Sequence, residues 1–203
     1  MSKEDTKEKL IKAVGQILET EGHTGLKTSK IAAKAAVDKA LIYRYFGDVD
    51  NLIEIFLLRE DYWAGTARNV NDAVGDLKDI KLLDLINFYL GKQYDTVSEN
   101  KTLQKTMLWS ISEKNSVMAK MIANREETGA DLFKLTDQVL NHREVNFRAI
   151  SAINVAATYY LAMHSAHNEG TFCELEIHTE DGKNEIKKAI RQINQWAFEK
   201  GSK

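Results

Sequence analysis

Apolar residues recur with the period of an α-helix along most of this chain. Within residues 4–21, Leu10, Ile11, Val14, Ile17 and Leu18 form one stripe, and Gly22 stands where a helix would end. Thr28 is placed to cap a short helix reaching about Ala35, with Ile31, Ala32 and Ala35 inward. Asp38 is placed to cap the next helix, and Val37 and Ile42 stand at hydrophobic-staple spacing around it. On that helix Ile42, Tyr45 and Phe46 point one way, while Ala40, Leu41, Tyr43 and Arg44 point to the opposite side and flanks. Gly47 ends it. Asp48 can then cap a longer helix that carries Leu52, Ile53, Phe56 and Leu58 and is expected to run past Trp63. Further helices are predicted over 79–97, 102–112, 115–141, 144–168 and 183–200. The expected fold is all-α. Residues 1–48 form a three-helix, helix-turn-helix head, and residues 49–203 form a helical body, with the helix from Val49 as connector.

Composition supports that pattern. The chain has no proline, which leaves helix interiors unbroken and argues against a turn-rich β fold. Its one cysteine, Cys173, excludes an internal disulfide framework and suits a reducing compartment. The N-terminus has no apolar signal core, and no apolar run reaches membrane-spanning length, so the expected location is cytoplasmic.

Charge changes the picture more. The net charge is only −2, but residues 22–47 hold Lys27, Lys30, Lys34, Lys39 and Arg44 against the lone acid Asp38. A locally basic head on an acidic body concentrates attraction for phosphate. Two short helices joined by a tight turn, the second carrying Lys39, Tyr43 and Arg44 outward, suit the DNA major groove. The candidate DNA-contacting residues are Thr28, Ser29, Lys39, Ala40, Leu41, Tyr43 and Arg44. Tyr43 is read as a phosphate contact, and Arg44 as a reader of a guanine edge or a phosphate clamp.

The head resembles the DNA-binding domain of tetracycline-repressor-type (TetR family) bacterial regulators. Gly22, Thr28, Ile31, Ala32, Ala35, Val37, Ile42, Tyr43, Tyr45, Phe46 and Leu52 carry the resemblance, over roughly residues 8–55. It implies a ligand-responsive regulator, a repressor acting as a homodimer on double-stranded operator DNA, and no enzymatic activity. Three positions depart from the pattern. Ala36 stands where glycine is usual, so a positive φ there would cost roughly 1 kcal/mol. Asp48-Val49 replaces a Ser-Lys pair. Leu41 replaces Thr or Ser, and an apolar side chain can meet a thymine methyl but cannot hydrogen-bond a base edge.

The body is rich in aromatics and methionines. Trp63, Phe88, Tyr89, Tyr94, Met107, Trp109, Met121 and Phe133 are candidates for lining an effector cavity, with plain core packing as the alternative. Residues 149–162 set Ala149, Ala152, Ala156 and Ala157 beside Ile150, Ile153, Tyr160 and Leu161. With Ile186, Ile190, Ile193 and Trp196 of the last helix they suit half of a four-helix bundle completed by a second copy. His164, His167, Cys173 and His178 cluster in sequence, yet their spacing matches no standard zinc pattern, and no base with an orienting partner stands beside Cys173. No metal and no cofactor is expected. A helical enzyme using this cluster, or a protein-interaction adaptor, is the alternative reading.

Overall fold

The computed structural model describes residues 2–61, 79–141 and 143–202. Among them lie nine α-helices and no strand; residue pairs Leu140–Ser202 and Phe172–Leu175 form isolated bridges. The helices are α1 (Lys3–Glu21), α2 (Thr28–Ala35), α3 (Ala40–Phe46), α4 (Val49–Glu60), α5 (Asp79–Glu99), α6 (Lys101–Ser112), α7 (Ser116–Val139), α8 (Phe147–His167) and α9 (Glu180–Gly201). The chain is all-α with an N-terminal helix-turn-helix. None of the described helices is long and apolar enough to cross a membrane.

Most helix ends follow from local chemistry. Ser2 and Asp5 open α1 with a reciprocal capping box. Gly22 and Gly47 close α1 and α3 at φ values of 72° and 85°. The Asp48 carboxylate accepts the Asn51 N–H at 2.7 Å and starts α4. Helix α9 begins three residues earlier than its periodicity suggests, because Thr179 Oγ1 accepts the Gly182 N–H at 3.1 Å. Gly182 is required there: a Cβ would lie 2.2 Å from the Glu176 carbonyl oxygen.

Two expectations fail. Thr28 is the first residue of α2 rather than its cap, and no side chain caps that helix. Helix α4 stops at Glu60, because Asp61 turns extended (φ −71°, ψ 107°). Its carboxylate there accepts from the Arg125 guanidinium. Trp63, and any course of the chain past it, lies outside the described residues.

Packing divides the chain into two compact units. The first is Met1–Thr66 with Lys101–Thr128. In it α1 packs on α2, α4 and α6, and α3 packs on α4. Leu10, Val14, Leu18, Ile31, Ile42 and Leu52 are fully buried there. The second is Ala67–Asn100 with Gly129–Lys203. Its core joins Ile86, Leu90, Leu140, Phe147, Ile190 and Phe198, with the two phenyl rings edge to face at 5.4 Å.

Candidate nucleic-acid interface

The interface is built on the turn between α2 and α3. Ala36 holds it in the left-handed region at φ 54°, ψ 47°. Its N–H reaches the Ala33 carbonyl at 3.1 Å, and the Val37 N–H reaches the Ala32 carbonyl at 3.0 Å. These are the two hydrogen bonds of a Schellman closure, made here with alanine in place of glycine. Asp38 then turns its carboxylate to the Ala40 N–H at 2.7 Å, so the lone acid of residues 22–47 is engaged at the start of α3.

Helix α3 is anchored by Ile42 and Phe46, both buried. Lys39, Ala40, Tyr43 and Arg44 are exposed, with Tyr43 at 55%. Leu41 is half-buried. Tyr45 is also half-buried rather than in the core: the Lys3 ammonium and Arg44 guanidinium stand 5.8 and 5.9 Å from its ring centre. On α2, Ser29 is exposed and Thr28 half-buried. Because no side chain caps α2, its first turn leaves amide groups and the Thr28 and Ser29 hydroxyls for an anion such as a DNA phosphate. Lys27, Lys30, Lys34, Lys39 and Arg44 are all exposed, and Lys30 pairs with Glu21.

The candidate effector residues separate. Met107, Trp109 and Met121 are buried in the first unit. Trp109 stacks on His23 at 5.3 Å with ring planes 6° apart. Its indole N–H donates to Glu113 Oε1 at 3.0 Å. Met107 Sδ receives an Arg125 N–H at 3.3 Å. Phe88, Tyr89, Tyr94 and Phe133 belong to the second unit. Phe88 is 63% exposed, and Tyr89 meets its edge at 5.5 Å. Burial raises the Tyr89 and Tyr94 phenols above their ordinary pKa. Tyr94 is fully buried, its hydroxyl near Ser165 but outside hydrogen-bonding geometry. Phe133 lies under the Arg148 guanidinium at 5.1 Å.

The residues that sequence reasoning missed are the polar partners: Asp61, Arg125, His23 and Glu113. They meet across long stretches of chain and carry no local periodic signal. His164, His167, Cys173 and His178 do not converge: among the described residues no group of three or more His, Cys, Asp or Glu could hold a metal ion. His164 instead packs its ring 5.1 Å from Phe172, and Cys173 is exposed.

Residues 10–54 match the family model of bacterial regulatory proteins of the tetR family. The N-terminal head is that of the tetR family. Solved structures extend the likeness of fold beyond the tetR-type head. A TetR-like transcriptional regulator from Rhodococcus sp. RHA1 is 16% identical, covers 94% of this chain and 93% of its own, and has a TM-score of 0.60. The fatty acid degradation regulator FadR of Bacillus halodurans is 13% identical over 92% and 96% of the two chains, with a TM-score of 0.63. FadR of Bacillus subtilis, solved in complex with stearoyl-CoA, is 10% identical over 90% and 96%, with a TM-score of 0.62. At these identities the likeness is one of fold. No curated protein matches the sequence.

Proposed function

We propose that this chain is a DNA-binding transcriptional repressor whose head, residues 1–48, is released from its operator when a small effector binds the body, residues 49–203. The observation that carries the reading is the exposed face of α3: Lys39, Ala40, Tyr43 and Arg44 stand outward while Ile42 and Phe46 hold the helix down. In this reading Tyr43 and the uncapped start of α2, with Thr28 and Ser29, position the phosphates, while Arg44 and Leu41 meet base edges.

A dimer follows from the reading, because a single short helix reads too few base pairs. Its support is the outward stripe of α8, where Ala149, Ala152, Ile153, Ala156 and Tyr160 are exposed, with Ile193 and Trp196 of α9. A second copy would cover it by two-fold pairing. The effector is apolar or amphipathic. The Bacillus subtilis FadR complex with stearoyl-CoA supports that class, since that protein has a similar fold.

The decisive test is fluorescence anisotropy with fragments from the chain's own upstream region. Arg44→Ala should weaken specific binding by about 1–3 kcal/mol if it reads a base, or reduce the salt slope by about one if it clamps a phosphate. No sequence preference on any fragment at low salt sinks the proposal. Sedimentation tests the dimer: wild type should run as twice 23.0 kDa, and Ile193→Glu as a monomer.

A further inference from the structure

The geometry points to Gln93 as the residue that selects the effector, and to an effector whose buried end carries a neutral hydrogen-bond donor, an alcohol or a secondary amide. This rests on the effector reading above and deepens it.

Gln93 interrupts an apolar stripe. Along α5, Ile86, Leu90, Gln93 and Val97 recur at helical spacing, and all four are buried. Gln93 itself is 1% exposed. Its Nε2 donates to Thr158 Oγ1 at 2.5 Å and lies 3.4 Å from the Val155 carbonyl oxygen. Thr158, fully buried, donates its own hydroxyl hydrogen to the Val155 carbonyl at 2.8 Å.

That arrangement fixes the amide. A hydroxyl has one hydrogen, and the Thr158 hydrogen is spent on Val155, so its oxygen must accept from Gln93. Turning the amide over would draw the Thr158 hydrogen to Oε1 and give up both hydrogen bonds to the Val155 carbonyl. Oε1 therefore faces away from α8. There it is buried and has no donor. Buried acceptors are almost always paired, and an unpaired one calls for an explanation.

A ligand donor fits. It would complete the amide without adding charge to an apolar interior. A protonated amine would need a counter-ion, and Asp95, the carboxylate nearest along α5, is paired with Lys187. A hydrocarbon, ester or ether end would leave Oε1 unpaired. The selection is thus between bodies of equal apolar size that differ in one hydrogen.

The test uses the full chain and two isomeric probes, 1-decanol and methyl nonyl ether, titrated by calorimetry. Wild type should bind the alcohol about tenfold more tightly, the ordinary worth of one buried hydrogen bond. Gln93→Met, close in shape and without an acceptor, should bind both probes alike. Thr158→Val, which unlocks the amide, should narrow the preference. Equal affinities in wild type, or a preference that survives in Gln93→Met, overturn the inference and leave the effector reading standing. Binding of neither probe refutes the apolar effector and this inference with it.

Discussion

In the unit formed by Met1–Thr66 with Lys101–Thr128, a polar contact between segments far apart in sequence is ionic. The Arg125 guanidinium meets both oxygens of Asp61 at 3.1–3.3 Å, with the two side chains 14% and 3% exposed. In Ala67–Asn100 with Gly129–Lys203, buried contacts between helices are neutral. Asn154 donates to Asn194 at 2.9 Å, and Asn194 donates to Asn87 at 2.8 Å. An ionic pair inside a protein is unforgiving, since losing one partner strands a charge. A chain of amides tolerates rearrangement better and still fixes which groups face each other. The unit that holds the head is thus tied by a contact that is fully made or costly. The unit that holds the proposed dimer face and Gln93 is tied by contacts that a ligand can join.

The largest expected effect tests the ionic side. Asp61→Ala should lower stability by about 3 kcal/mol in a urea titration, because it leaves Arg125 charged and without the three hydrogen bonds it makes to Asp61. The double variant Asp61→Leu with Arg125→Met should recover most of that loss. A cost near zero for Asp61→Ala would erase the contrast between the units.

Next comes the amide chain. Asn194→Leu removes both of its hydrogen bonds at once and should cost about 2 kcal/mol, less than the ionic break. If it costs more, the neutral network is the stricter of the two.

A smaller effect separates the units by pH. Burial raises the Tyr94 phenol, so the folded state keeps its proton after the unfolded chain begins to lose it. Stability should be level below about pH 10 and fall as pH rises through the folded value, by at most about 1.4 kcal/mol per pH unit for one proton. Tyr94→Phe should flatten that fall in an alkaline melting series. An unchanged alkaline profile would show that Tyr94 ionises equally easily in both states.

The smallest effect lies in the head. Ala36→Gly should raise stability by roughly 0.5 kcal/mol, because relief of the left-handed backbone slightly exceeds the added freedom of the unfolded chain. A loss on this substitution would mean that the turn carries no strain.

These effects also mark what the sequence made legible. Periodicity separated Tyr43 from Ile42 and Phe46, and capping chemistry located Asp48, Gly22 and Gly47, because such signals act within one helical turn. The positive φ at Ala36 was legible only through the family pattern, which sets glycine at that turn. Tyr45 was misjudged because its ring lies at the edge of the apolar stripe, where Lys3 and Arg44 cover it instead of the core. The end of α4 was missed because Asp61 answers to Arg125, far along the chain. In α8 and α9 the apolar residues looked like one surface. Folding turns Ile190 into the core and leaves Ile153 and Ile193 outside, with Ile150 between. Helix α8 is apolar around most of its circumference, so the pattern alone could not divide it. The candidate effector residues scattered between two units for a related reason: large apolar side chains mark burial without marking what they are buried against.

The turn after α8 has a practical consequence. Cys173 is the chain's single thiol, and it is exposed, at φ 51°, between the bridged residues Phe172 and Leu175. A maleimide dye or nitroxide would therefore attach at one defined place without any engineered cysteine. In the proposed homodimer two such labels would form a molecular ruler. Their spin–spin distance, recorded with and without DNA, would follow the assembly in solution through changes no larger than the reach of the probe.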